Sequence, residues 1–137
     1  VASAMKARGF ELSLIPSQRP AHDPSVWDDA IDDKTLCALV THVHSNTGRL
    51  SPVKEIVDIC CQNDVRTIVD IAQSVGIIPI DIKTWNADVV LGSCVKWLCG
   101  GPGAGFMWIN PEHIDTLTPE DVGWFSHENP FEFNIRD

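Results

Sequence analysis

Residues 36–43 read Leu-Cys-Ala-Leu-Val-Thr-His-Val, a near-continuous apolar run. Such a run is typical of a parallel strand that is buried on both faces of a sheet. The Ser51-Pro52 pair that follows predicts a helix start, with the serine hydroxyl as the cap and proline at the first helical position. Apolar residues then recur at helical spacing as far as Cys60. A buried strand followed by an amphipathic helix predicts the first unit of an α/β sheet.

The rest of the chain continues this alternation of strands and helices. Further strands are predicted at Phe10–Leu14, Thr67–Val69, Ala87–Gly92 and Phe106–Asn110. Helical segments or turns are predicted at Val1–Gly9, Trp27–Ile31 and Ile80–Trp85. The predicted fold class is therefore α/β, with a mostly parallel sheet flanked by helices in a single domain over residues 1–137.

Composition and charge narrow the classes of function. The chain has 137 residues, 44% of them hydrophobic, which is the composition of a folded globular domain. Acidic residues number 19 against 10 basic ones, for a net charge of -9. Because phosphate backbones and anionic lipids repel such a chain, we expect no nucleic-acid or membrane partner. No apolar run approaches the roughly 20 residues that a membrane span needs.

The cysteines and the chain ends also carry information. Five cysteines, two of them adjacent at Cys60 and Cys61, make a poor disulfide framework, so we expect reduced thiols and a cytoplasmic location. The chain starts with Val, and its last stretch, Phe131–Asp137, has no closing element. We therefore expect it to be part of something longer.

Three polar clusters follow predicted strands directly: His42–Gly48, Asp70–Ser74 and Ser93–Lys96. In open α/β sheets, ligands bind beyond the carboxyl ends of the strands. We therefore predict that these clusters converge on one site.

Two of the residues in these clusters allow a functional and a structural interpretation. Asp70 either caps a helical turn over residues 71–74 or pairs with a ligand cation. Lys96 has apolar neighbours, so it is either a desolvated, imine-forming nucleophile or a surface lysine that extends its ammonium into water.

Three further features leave alternatives open. His42 and His44 lie two apart and would suit a metal-hydrolase pair, although no third ligand follows them. The Gly100–Gly105 loop could cradle phosphate or be an ordinary turn between strands. Trp124 lies in a polar segment and is expected to be an interface anchor or a ligand contact.

Two motifs carry a family resemblance. Residues 70–76 (DIAQSVG) and residues 93–103 (SCVKWLCGGPG) resemble the class V aminotransferase family, pyridoxal-phosphate enzymes of the aspartate-aminotransferase fold. Residues 41–48 resemble the segment before the central helix of that family, and residues 123–127 (GWFSH) resemble a stretch of the kynureninases. The resemblance covers roughly residues 34–130, and it implies part of the large domain of a fold type I enzyme.

The resemblance also implies a role for five residues. Lys96 would bind pyridoxal phosphate covalently and move protons, and Asp70 would pair with the pyridinium nitrogen. Gln73 would contact the phenolic oxygen, and Ser93 would hydrogen-bond the phosphate. Trp124 would reach a phosphate at the interface of a homodimer.

The implied activity is hydrolysis of a carbon–carbon bond in a small amino-acid substrate, as in the kynureninases. Gln73 stands where kynureninases have His, and Val95 where they have Tyr. Gln at position 73 is more like the cysteine desulfurases, so desulfurase-like or aminotransferase chemistry is the first alternative. A catalytically silent, truncated domain is the second.

Overall fold

A computed structural model describes residues 2–131, so Val1 and most of the predicted open end, from residue 132 onward, lie outside the described residues. The helices and strands are, in chain order, α1 (Ala2–Ala7), α2 (Pro24–Asp28), β1 (Cys37–Thr41), α3 (Val53–Gln62), β2 (Arg66–Asp70), α4 (Ile82–Trp85), β3 (Val89–Ser93) and β4 (Gly105–Ile109). Two short 3-10 helices follow, at Pro111–Thr116 and Trp124–Ser126.

The four strands form one sheet in the order β1-β2-β3-β4. β1, β2 and β3 are parallel, and β4 returns antiparallel to β3. The predicted α/β fold with a mostly parallel sheet is therefore confirmed. The antiparallel direction of β4 fits its connection, because residues 94–104 between β3 and β4 contain no helix to carry a crossover.

Helix α3 forms the core by covering one face of the sheet. Its buried residues Val53, Ile56, Val57 and Cys60 recur at helical spacing and pack with the inward side chains of the strands. Each such side chain stabilises the fold by about 1.5–3 kcal/mol. α3 has ten residues, and no helix within residues 2–131 has the length and apolar character to cross a membrane.

The start of α3 differs from the prediction by one residue. Pro52 occupies the cap position, and Ser51 stays outside the helix. The Ser51 N–H donates to the carbonyl of His42 at 2.8 Å, and its hydroxyl lies 3.2 Å from His44 Nε2. Since these contacts hold Ser51 to the segment that leaves β1, the helix begins after it.

The prediction that β1 is buried on both faces is wrong for this chain. Ala38 and Val40 are buried, whereas Leu39 between them is 53% exposed. Met107 of β4 is also exposed. Both α2 and α4 contact α3, so the described helices α2, α3 and α4 gather on one face of the sheet. On the opposite face, Leu39 and Met107 are exposed to solvent.

The predicted strand at Phe10–Leu14 is also wrong. These residues have no regular secondary structure, and Phe10, Leu12 and Leu14 are all exposed. Alternation of apolar and polar residues favours a strand only where a neighbouring strand supplies hydrogen bonds. Among residues 2–131, no strand pairs with this segment.

All five cysteines are free thiols, in agreement with the prediction. Cys60 is buried on the inner face of α3, and Cys61 beside it is exposed. Burial raises the pKa of the Cys60 thiol to about 11. Cys60 therefore acts as a small apolar core residue.

Candidate functional site

The carboxyl ends of the three parallel strands bring the predicted polar clusters together. Thr41 lies opposite Asp70 in the β1–β2 register, and Asp70 lies opposite Leu91 in the β2–β3 register. The His42 N–H donates to the Asp70 carbonyl, and the Ile71 N–H donates to the Leu91 carbonyl, both at 2.9 Å. The clusters that begin at these strand ends are thus neighbours, as the sequence predicts.

Asp70 is the last residue of β2 and is partly buried. Its Oδ1 accepts a hydrogen bond from the Ala72 N–H at 2.8 Å, so the carboxylate caps the turn that follows the strand. The capping interpretation is confirmed. It leaves Oδ2 for a cationic partner, so the functional interpretation is compatible with it.

Lys96 lies in a turn over residues 94–98. Backbone hydrogen bonds from Gly100 N to Cys94 O, at 2.8 Å, and from Cys99 N to Lys96 O, at 3.0 Å, close this turn. The expectation of a desolvated lysine is wrong for this chain, because Lys96 is exposed. Its apolar neighbour Trp97 is itself 53% exposed and leaves the ammonium open to water.

Gly76 is where the turn after Asp70 meets the turn that carries Lys96. An added Cβ at Gly76 would lie 3.2 Å from both Trp97 O and Leu98 Cδ2. Gly76 also has a φ of +96°, a backbone conformation that residues with a side chain rarely adopt. The glycine therefore lets the acid-bearing and amine-bearing turns touch. The sequence motif contains this glycine, but spacing alone gave it no role.

Gln73 and Ser93 flank this contact. Gln73 lies in the same turn as Ala72 and is partly exposed. Ser93 is the last residue of β3, and its hydroxyl accepts a long hydrogen bond from the Val95 N–H, at 3.4 Å. Within residues 2–131, no hydrogen bond holds the Gln73 amide or the Lys96 ammonium, so both are available to a ligand.

The glycine loop after Lys96 is an ordinary hairpin connection. Ser93 pairs with Gly105 across the β3–β4 ladder, and the loop lies between them. Gly103 adopts a φ of +86°, which the turn requires. The interpretation as a turn between strands is confirmed.

Trp124 lies in its own exposed segment. It is 62% exposed and borders a shallow pocket lined also by Gly123, His127, Asn129 and Pro130. Its indole N–H donates to the Pro130 carbonyl. The structure does not test the predicted phosphate contact.

His42 and His44 do not converge on a common point. His42 Nδ1 lies 2.8 Å from the Ser74 hydroxyl, whereas His44 Nε2 faces Ser51. Among the described residues, no three His, Cys, Asp or Glu side chains are grouped to hold a metal ion. This geometry gives the metal-hydrolase alternative no support. Ser74 is the partner that sequence reasoning missed, although it lies inside the DIAQSVG motif.

His42 is buried, with 5% of its surface exposed. Its ring meets the Trp85 ring edge-on, with the ring centres 4.8 Å apart. Burial lowers the pKa of the His42 imidazole, because the interior disfavours the charged form.

A cavity of about 350 Å³ lies at the opposite end of the parallel strands, around Asp88. The Asp88 carboxylate accepts from the Thr67 N–H and hydroxyl at 2.7 and 2.8 Å, and pairs with Arg66 and His113 at 2.7 and 2.6 Å. Burial opposes ionisation of Asp88, but the hydrogen bonds from Arg66 and Thr67 outweigh it and lower its pKa. This cluster joins β2, β3 and the 3-10 helix that follows β4, and its carboxylate is already saturated.

Comparison with known proteins identifies the family. The profile described as "Aminotransferase class-V" matches residues 1–131. The uncharacterized aminotransferase YcbU of Bacillus subtilis is 33% identical over 123 residues, which are 90% of this chain and 33% of that protein. A kynureninase of Burkholderia mallei is 34% identical over 125 residues, 90% of this chain and 29% of the enzyme. The chain thus spans about a third of the length of these relatives.

Solved structures agree with the fold. The cystine C-S lyase C-DES, in complex with its reaction product cysteine persulfide, matches with a TM-score of 0.79 and 29% identity, over 89% of this chain and 34% of that one. A cysteine desulfurase from Thermococcus onnurineus gives a TM-score of 0.75 at 27% identity, over 88% of this chain and 30% of that one. A C-DES variant, with a TM-score of 0.80 at 28% identity over 89% of this chain and 34% of that one, holds glycine covalently linked to its pyridoxal-phosphate cofactor. These neighbours are fold type I enzymes, and they indicate pyridoxal phosphate as the cofactor. The profile match over nearly the whole chain and the shared fold establish that this chain belongs to the class V aminotransferase family.

Proposed function

We propose that this chain is the acid- and lysine-bearing part of a pyridoxal-phosphate enzyme that acts on an amino acid. The observation that carries the proposal is the contact at Gly76 between the turn after Asp70 and the turn around Lys96. Asp70, Lys96 and the Ser93 hydroxyl lie at or just beyond the carboxyl ends of the strands. They match the ring nitrogen, the aldehyde and the phosphate of that cofactor. The donor set therefore fits the group.

Each of these side chains has a defined task in the proposal. When bound, the protonated pyridine ring supplies an electron sink for a carbanion at the substrate's α-carbon. Asp70 Oδ2 would keep the ring nitrogen protonated through a charge-assisted hydrogen bond. Lys96 would hold the cofactor through its amine, and the same amine would move a proton at the substrate's α-carbon.

The remaining contacts orient the ring. Gln73 lies on the turn that follows Asp70, and it would contact the phenolic oxygen while Asp70 would pair with the nitrogen. Ser93 donates to the phosphate from the end of β3. Trp124 lies on an exposed surface, which suits a phosphate contact across a homodimer interface.

For the reaction branch, we propose kynureninase-like hydrolysis of a carbon–carbon bond. The kynureninase identity of 34% and the GWFSH stretch at residues 123–127 support it. Desulfurase-like chemistry is the alternative, and two observations favour it: Gln73, and the structural likeness to C-DES and a cysteine desulfurase.

A silent domain is the second alternative. The exposure of Lys96, and of Leu39 on the uncovered sheet face, favours a chain that folds without holding the cofactor by itself. Each missing contact lowers affinity, at about tenfold per 1.4 kcal/mol.

Titration of the purified chain with pyridoxal phosphate, followed by borohydride reduction and peptide mapping, tests the proposal. We expect micromolar binding and a reduced adduct on Lys96. Lys96→Ala should abolish the adduct, whereas Lys83→Ala, at an exposed lysine of α4, should leave it unchanged. Absence of binding would favour the silent domain, and equal labelling of Lys83 would show nonspecific chemistry.

The reaction branch is tested with two substrates under the same conditions. Release of products from kynurenine supports hydrolysis of a carbon–carbon bond. Release of sulfide from cysteine under reducing conditions supports the desulfurase alternative.

A further inference from the structure

The segment that leaves β1 is tied to the turn after β2 by a buried chain of hydrogen bonds. His42 Nδ1 lies 2.8 Å from Ser74 Oγ, and Ser74 Oγ lies 3.1 Å from the Ile71 carbonyl. Ser74 is fully buried. The Ile71 carbonyl also accepts from the N–H groups of Ser74 and Val75, both at 2.9 Å. The turn is therefore closed around a single carbonyl.

The Ser74 hydroxyl has a single hydrogen, so its two contacts have opposite directions. A carbonyl is only an acceptor, so the single hydroxyl hydrogen of Ser74 points to Ile71 O. With this bond made, the Ser74 oxygen accepts from a hydrogen on His42 Nδ1. Burial lowers the pKa of His42 and so favours the neutral ring.

These hydrogen bonds hold the turn that connects Asp70 to the contact with the Lys96 turn. Ser74 is placed between Asp70, which begins the turn, and Gly76, which contacts the Lys96 turn at Trp97 and Leu98. The Trp85 ring also packs against the imidazole, with the ring centres 4.8 Å apart. A shift of Ser74 would therefore move the acid-bearing turn and its contact with the amine-bearing turn together.

We propose that His42 is the positioning residue of this site, which donates from Nδ1 to Ser74 and so holds the turn that presents Asp70 and Gln73. The inference rests on the proposed function for the identity of the ligand, pyridoxal phosphate. His42 itself touches neither cofactor nor substrate; it acts through Ser74.

Two substitutions of His42 distinguish the effect of its Nδ1 hydrogen-bond donor from the effect of its aromatic ring. His42→Asn keeps an N–H at nearly the same place as Nδ1, whereas His42→Phe keeps an aromatic ring against Trp85 and removes the donor. Ser74→Ala removes the acceptor. Val57→Ala, in the core beneath α3, is the control for general loss of stability, since it creates a cavity away from this turn.

The first readout needs no cofactor. Amide hydrogen exchange at Ser74 and Val75, compared with exchange at Val69 in β2, reports the order of the turn. We expect about tenfold faster exchange at Ser74 and Val75 in His42→Phe and in Ser74→Ala, because a buried polar partner is left unsatisfied. His42→Asn should remain near wild type, and Val57→Ala should change exchange at all three sites in parallel.

The second readout is the dissociation constant for pyridoxal phosphate. We expect it to rise about tenfold in His42→Phe and Ser74→Ala, and to be rescued in His42→Asn. If the wild-type chain binds and His42→Phe binds equally well, the inference is overturned. If the wild-type chain does not bind, the proposed function fails, and unchanged exchange at Ser74 and Val75 in His42→Phe would still overturn the positioning role.

Discussion

Replacing Gly76 with alanine tests the contact between the two turns of the site. The added methyl group would lie 3.2 Å from the Trp97 carbonyl oxygen and from Leu98 Cδ2. Such a contact is tighter than ordinary van der Waals separation, and the Trp97 oxygen belongs to the backbone, so the Lys96 turn must move. The substitution therefore affects both stability and the position of Lys96.

Two effects contribute to the expected loss of stability in Gly76→Ala. A residue other than glycine at a left-handed φ costs about 1–2 kcal/mol, and φ is +96° at Gly76. Overpacking against Trp97 and Leu98 adds about 1–2 kcal/mol. We expect Gly76→Ala to lower the free energy of unfolding by about 3 kcal/mol. Gly48→Ala is the matched control, because Gly48 has a φ of +67° and nothing within 4 Å of its added Cβ. It should lose about 1–2 kcal/mol.

Urea unfolding followed by tryptophan fluorescence measures both free energies. Borohydride trapping of pyridoxal phosphate on Lys96 measures the position of the amine. We expect slower trapping in Gly76→Ala and unchanged trapping in Gly48→Ala. Equal losses of stability in the two variants, with equal trapping, would refute the contact between the turns.

Three further predictions concern residues around the site and the core. Asp88→Asn should lower the free energy of unfolding by about 2 kcal/mol in urea titrations, because the carboxylate accepts from Thr67 and pairs with Arg66. The pKa of His42 is lowered in the native state from its ordinary value of 6.5. Below pH 6.5 the unfolded chain therefore binds a proton at His42 more readily than the native chain does. The free energy of unfolding is highest above pH 6.5 and falls on acidification, by at most about 1.4 kcal/mol per pH unit. His42→Asn should remove this slope from unfolding curves taken at several pH values. Cys60, with its pKa raised to about 11, should react with iodoacetamide at pH 8 far more slowly than exposed Cys99, by peptide mass spectrometry, and equal rates would contradict its burial.

Local patterns were sufficient for most elements of the fold. The periodicity from Val53 to Cys60 predicted α3, because the buried stripe of a helix repeats with the helical turn. Short apolar runs predicted β1, β2, β3 and β4 to within a few residues of their bounds. The pattern at Phe10–Leu14 failed, since a strand depends on a neighbour that a local pattern does not contain.

The sequence predicted that the polar clusters converge, but it did not predict their surroundings. The motif around Asp70 and the position of Ser93 placed the polar groups at strand ends, and the parallel sheet brought those ends together. The exposure of Lys96 could not be inferred from its apolar neighbours, because desolvation depends on what covers the turn. Ser74 and Gly76 were visible in the motif, but their contacts with His42 and with Trp97 join segments distant in the sequence.

The sequence by itself determined the α/β class, from the periodicity of its strands and helices, and the family, from the order of residues in short motifs. Its assignment of Asp70 and Lys96 as the acid and the amine of the site stays a prediction. The tertiary structure alone decided that Ser74 holds His42, that Gly76 admits the Lys96 turn, and that Asp88 is saturated by Arg66 and Thr67. The physical reason is that hydrogen bonds and close contacts act over a few ångströms in space, and the register of neighbouring strands determines which distant segments come within that range.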